Sequence, residues 1–117
     1  MNEAPMNTLE RLAELVEGRK TADPKTSWTA RLFEKGPDKC AEKFGEEAVE
    51  AIIAAARDDR ENLIYEAADV LYHLVVMLAA RDVALADVLA ELARREGVSG
   101  IEEKAARQAA RGPASSS

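Results

Sequence analysis

Cysteine is nearly absent from this chain, with Cys40 standing alone among 117 residues. An internal disulfide is therefore excluded, and with it the disulfide-stapled secreted scaffold, so a cytoplasmic location is expected. Nothing around Cys40 marks a nucleophile, and it reads as a small inert side chain. Aromatic residues make up only 4% of the sequence, and strand-forming runs are sparse. Ala, Leu, Glu and Arg dominate instead, which predicts an all-α fold. No apolar run reads as reaching membrane-spanning length, and the N-terminus lacks the apolar core of a signal peptide. Positive charge is in deficit, at a formal net charge of −6. That balance argues against a nucleic-acid binder or a membrane-surface binder, and it leaves room for a local basic patch facing a phosphorylated small molecule.

Hydrophobic residues, at 47%, suffice for one core. A single domain over residues 1–111 is expected, with residues 112–117 a small, polar, disordered tail. A bundle this small has a limited interior, and pairing with a second copy as a homodimer would bury more apolar surface.

Residues 1–6 read as a loose leader. Asn7 with Glu10 resembles a helix start, and Leu9, Leu12, Leu15 and Val16 give an apolar stripe that Gly18 ends. Residues 19–27, polar and containing Pro24, read as a loop. Ser27 can cap a short helix in which Trp28, Leu32 and Phe33 turn inward. The same segment can instead form a substrate wall, with hydroxyls from Ser27 and Thr29 and phosphate contacts from Arg31, Lys35, Lys39 and Lys43. Those four cations equally suit a solvated face. Gly36-Pro37 opens a long helix to about Arg57. Asp58 and Asp59 break it, Asp59 caps the next helix, and that helix runs from about Arg60 to Arg81. The turn is short, so the two are antiparallel neighbours. A further helix spans about Leu85 to Arg95 and closes at Gly97. Ser99 with Glu102 resembles a capping box for a last helix ending near Arg111.

The stretch from Lys43 to His73 carries the chemistry. Residues three and four apart share a helix face. Lys43, Glu47 and Glu50 therefore form one stripe with Glu46 at its edge, and Glu66, Asp69 and His73 form another. Val49, Ile52, Ile53 and Ala56 point away from the first stripe. Apolar residues from Leu63 to Val76 surround the second. No Lys or Arg occurs from Phe44 to Ala56, and none from Glu61 to Ala80. Carboxylates converging without cationic partners either take up protons or recruit an ion. Oxygen-only ligands select hard ions, Mg2+ first and Mn2+ as a substitute. An isolated E-x-x-E is commonly a solvated face; E-x-x-E answered by E-x-x-D on the next, largely apolar helix is more specific. His73 reads as a core residue whose hydrogen bond orients Asp69, with direct contact to substrate as the sharper alternative. Tyr72 reads as a packing residue with a bonded hydroxyl.

The pairs Glu47-x-x-Glu50 and Glu66-x-x-Asp69 resemble those of the MazG-like all-α nucleoside triphosphate pyrophosphatases. A narrower resemblance, to the phosphoribosyl-ATP pyrophosphatase family, rests on four stretches of sequence. They are Ser27-Trp28-Thr29-Ala30-Arg31-Leu32-Phe33 with Lys35-Gly36, Lys43-x-Gly45-Glu46-Glu47-x-x-Glu50, Glu66-Ala67-x-Asp69-x-x-Tyr72-His73, and Ser99-Gly100-Ile101-Glu102-Glu103-Lys104. The likeness covers about residues 7–108. It implies an antiparallel bundle of four to five helices that is dimeric; nothing in the sequence suggests a fused partner domain, and a stand-alone version is expected. It also implies Mg2+-dependent hydrolysis of the α–β phosphoanhydride of phosphoribosyl-ATP, the second step of histidine biosynthesis. By position, Glu47, Glu50, Glu66 and Asp69 become metal ligands, and Glu46 a further ligand or a base. Glu46 and Glu47 form the catalytic pair, with the choice of base open. Ser27, Thr29, Arg31, Lys35, Lys39, Lys43 and His73 become the substrate-binding set. Two other readings remain: a pyrophosphatase that clears noncanonical nucleotides, and a non-enzymatic acidic dimerisation module.

Overall fold

The computed structural model describes residues 5–97 and 100–111. They carry six α-helices: α1 Pro5–Gly18, α2 Trp28–Lys35, α3 Pro37–Ala56, α4 Arg60–Ala80, α5 Leu85–Arg95 and α6 Gly100–Arg111. A short 3-10 turn, Arg19–Thr21, lies within the stretch expected to be a plain loop. No strand occurs among the described residues, as an all-α composition requires. The six helices are the six segments read along the sequence, one more than the four to five that the family likeness implied for the bundle. The Ser99 side of the expected capping box, the 112–117 tail and residues 1–4 of the expected leader lie outside the described residues.

The chain forms two compact units, one through Leu85 and one from Ala86. In the first, α3 and α4 are the principal pair, with α1 against α4 and α2 against α3. Val16, Leu32, Cys40, Val75 and Val76 are the buried core, with Leu12, Ala13, Phe33 and Tyr72 packed around it. Cys40 is fully buried and donates its Sγ–H to the Leu32 carbonyl at 3.4 Å. Burial pushes its thiol above the ordinary range, which suits an inert core residue.

The start of α1 departs from expectation. The described part of α1 starts at Pro5, so Asn7 lies within the helix rather than ahead of it. Leu15 stays exposed although it follows the stripe of Leu12 and Val16. For α2, Ser27 does cap the helix, its Oγ accepting from the Ala30 N–H at 3.1 Å. Leu32 is buried and Phe33 half-buried, but Trp28 is not inside: 48% of it is exposed. It is the first residue of its helix, and its ring lies beside Arg31 and Lys35 of the same helix rather than inside the core.

The α3–α4 joint explains the pairing. The Asp59 N–H bonds to the Ala54 carbonyl and the Asp58 N–H to that of Ala55, each at 3.1 Å. These are the two bonds of a Schellman ending. Asp58 takes the left-handed position at φ 55°, which Asp tolerates better than most non-glycine residues. Asp59 then caps α4, accepting from the Asn62 N–H at 3.3 Å. The same device closes α4. There, Val83 N–H bonds to Leu78, Asp82 N–H bonds to Ala79, and Asp82 sits at φ 58°.

By length and composition α4, with 21 residues, is long and apolar enough to cross a membrane, contrary to the expectation of no such run. Glu66, Asp69 and His73 lie along it, and ionisable groups at membrane depth are costly. In the second unit, Glu91 of α5 is clasped by Arg94 at 2.8 and 3.1 Å and by Arg95 at 3.0 Å. Gly97 follows the helix at φ 80°, the left-handed position foreseen for it.

Candidate active site

Antiparallel packing of α3 on α4 brings three acids together. Glu47, Glu66 and Asp69 each offer a carboxylate oxygen within 4.8 Å of the others, and all three are half-buried. None of them is ion-paired among the described residues. The Glu66 carboxyl is held above the ordinary range, first by burial and then by repulsion from Glu47, Asp69 and Glu50. A carboxylate that resists ionisation in acidic company is what an unbalanced cation site looks like electrostatically. Oxygen donors on two rigid helices, with one side left to solvent, fit a hard divalent ion that retains waters.

Two of the expected acids stand outside this group. Glu50 lies on the next turn from Glu47 and is exposed, though its charge is felt at Glu66. Glu46 is exposed and bonded to Lys43 at 3.1 Å, a contact that lowers its carboxyl below the ordinary range. The acid stretch is thus not wholly without a cation: Lys43, at its margin, serves Glu46 and leaves Glu47 unpaired.

Residues 9–96 match the family profile described as phosphoribosyl-ATP pyrophosphohydrolase. The chain belongs to that family. It is 76% identical over 102 residues to a Rhodobacter capsulatus protein named phosphoribosyl-ATP pyrophosphatase, covering 87% of this chain and 99% of that one. A Dinoroseobacter shibae protein of the same name is 71% identical over 87% of this chain and all of its own length. A Paracoccus denitrificans protein, again of that name, is 72% identical over 86% and 93% of the two chains.

Within that family setting, the polar side chains expected to face substrate do not stand free. Ser27 caps α2. Thr29 Oγ1 shares a hydrogen bond with the Tyr72 hydroxyl. Arg31 donates from Nε to the Pro24 carbonyl at 3.2 Å. Arg31 and Lys35 also flank the exposed Trp28 ring, 6.0 and 5.7 Å from its centroid. Lys39 pairs with Glu42 at 3.0 Å, and Lys43 with Glu46. The four cations therefore divide into two that lie along an aromatic ring and two that sit in exposed ion pairs, which exchange readily because such pairs are weak.

His73 is 5% exposed, which leaves a substrate little to touch. Its expected hydrogen bond to Asp69 is not formed: Nδ1 is buried without a partner, and the ring stands edge-on to Tyr72 with centroids 4.9 Å apart. Burial lowers its proton affinity below the ordinary imidazole value, with Lys43 acting the same way and Glu47, Asp69 and Glu46 opposing. Sequence reasoning gave Tyr72 a bonded hydroxyl but not its partner. The only signal was an aromatic hydroxyl one turn from Asp69.

Proposed function

We propose that this chain hydrolyses the α–β phosphoanhydride of phosphoribosyl-ATP to phosphoribosyl-AMP and pyrophosphate, the second step of histidine biosynthesis. The observation that carries this is the 76% identity, over 99% of the relative's length, to a protein named phosphoribosyl-ATP pyrophosphatase. The three-acid group supplies the chemistry. Glu47, Glu66 and Asp69 would hold Mg2+, or Mn2+ in its place, and the exposed Glu50 can rotate to join them. The ion, when bound, supplies positive charge against the triphosphate and the departing pyrophosphate.

The chain's own residues do the rest. Water attacks phosphorus, the bond to the bridging oxygen breaks, and the proton lost from water passes to a carboxylate. Glu46 and Glu47 are the catalytic pair. Glu46, kept ionised by Lys43, suits orienting water, since lowering its proton affinity weakens it as a base. Lys43, Lys39, Lys35 and Arg31 would exchange their present partners for phosphate oxygens.

Residues 1–111 act as one domain in this reading, supported by a family match that runs over residues 9–96 and so crosses from the first unit into the start of the second. The chain works as a homodimer. Val49, Ile52 and Ile53 on α3 and Ile64 and Tyr65 on α4 are all exposed, and a second copy of the same helix pair would cover them. A net charge of −6 disfavours nucleic acid, and acids along α4 disfavour lipid, consistent with a cytoplasmic enzyme. The test is pyrophosphate release from phosphoribosyl-ATP beside a panel of dNTPs. Phosphoribosyl-ATP should be preferred by orders of magnitude, and preference for a dNTP would move the chain to nucleotide clearance.

A further inference from the structure

Helix α2 has eight residues, too few to hold a position by helical propensity alone. It leads into α3 through Gly36, whose φ of 98° is glycine territory and a natural pivot. Buried Ala30 and Leu32 seat it on the core. Among the described residues, one side-chain hydrogen bond joins it to α4: Thr29 Oγ1 to the Tyr72 hydroxyl, across 43 positions of sequence. The Tyr72 ring is packed against the buried core and stands edge-on to His73 at an interplanar angle of 76°. A phenol gripped in this way presents its hydroxyl at a fixed point. Tyr72 itself follows Asp69, an acid of the three-carboxylate group, by about one turn of α4.

We infer that Tyr72 is a positioning residue. Through Thr29 it holds the segment from Ser27 to Lys35 at a set distance from the carboxylates, so that side chains gripping one part of the substrate match the site of bond cleavage. The inference rests on the pyrophosphatase reading and assigns Thr29 a different duty: its hydroxyl anchors the helix instead of touching substrate. A misplaced α2 weakens substrate binding while the acids stay where they are, so the loss falls on KM more than on kcat.

Three variants test it. Tyr72→Phe keeps the ring and removes the hydroxyl, Thr29→Val removes the other hydroxyl at nearly constant volume, and the double variant removes both. Each single change should raise KM roughly fivefold, as loss of one hydrogen bond implies, with kcat within about twofold of the parent. The double variant should be no worse than either single one, since the two hydroxyls act as one unit. Thr29→Ser should restore KM. Trp28, the sole tryptophan and next to Thr29, gives a reading independent of activity: acrylamide quenching should rise in both single variants. An unchanged KM in Tyr72→Phe beside a raised one in Thr29→Val would overturn the inference in favour of direct contact. A lowered melting temperature with unchanged KM and quenching would reduce the bond to mere stabilisation. If the parent chain releases no pyrophosphate, the functional reading falls, while the quenching result still decides whether Tyr72 holds α2.

Discussion

Glu47 and Glu66, on different helices, hold carboxylate oxygens within 4.8 Å of each other, with Asp69 equally close and no cation paired to any of the three among the described residues. Repulsion at this distance is relieved by a divalent ion or by loss of one charge. Calorimetry should therefore record Mg2+ binding, and the melting temperature should climb with Mg2+ concentration, by about 2.7 kcal/mol of stability at a hundredfold excess over Kd. Glu66→Gln should raise the metal-free melting temperature, abolish that climb and abolish activity. A Mg2+-independent melting curve for the parent chain would sink the metal assignment.

The apolar faces of α3 and α4 carry a second prediction. Ile52 is 65% and Tyr65 67% exposed within one copy, more than a stable monomer leaves open when neighbouring residues are also apolar. Light scattering should give the mass of two chains. Ile52→Glu together with Tyr65→Glu should give the mass of one, with the helical circular dichroism largely kept. A monomeric parent chain would exclude the homodimer.

Acid titration of α5 supplies a third. Glu91 is held at about 2 by hydrogen bonds from Arg94 and Arg95. A carboxyl lowered in the folded state stabilises above its unfolded value and loses that contribution as pH falls through the folded one. The window thus opens near 4.5 and closes at about 2. NMR of the Glu91 side chain should give a midpoint near the lower figure at low salt and higher in 1 M salt, because the pair is solvent-facing. A midpoint near 4.5 at every salt would mean that the clasp does not persist in water.

Helix bounds on the strongly patterned segments were legible because punctuation and periodicity agreed there. Ser27, Asp59 and Gly97 each occupy the capping or terminal position that their chemistry favours. The start of α1 was not legible, since Asn7 with Glu10 suits a helix opening yet lies within the helix. The place of Trp28 was missed for a related reason. Spacing assigns a face but does not say how much of a ring at a helix's first residue stays open to solvent. In the site, spacing foresaw Glu47 with Glu66 and Asp69, because antiparallel neighbours with a short turn fix the height of each acid. It did not foresee that Lys43 would serve Glu46, nor that Thr29 and Tyr72 would meet, since contacts between distant residues leave no local trace.

The Asp58 joint carries a geometric liability. Each residue of an α-helix turns the next by roughly 100°, so one residue added between Ala56 and Arg60 and taken up as helix would swing every side chain of α4 by that angle. Glu66 and Asp69 would leave Glu47 behind although no acid had been altered. The left-handed aspartate at φ 55° sets the joint that brings Glu66 and Asp69 beside Glu47. A helix-extending insertion here should leave every acid in the sequence and still scatter the three-acid group.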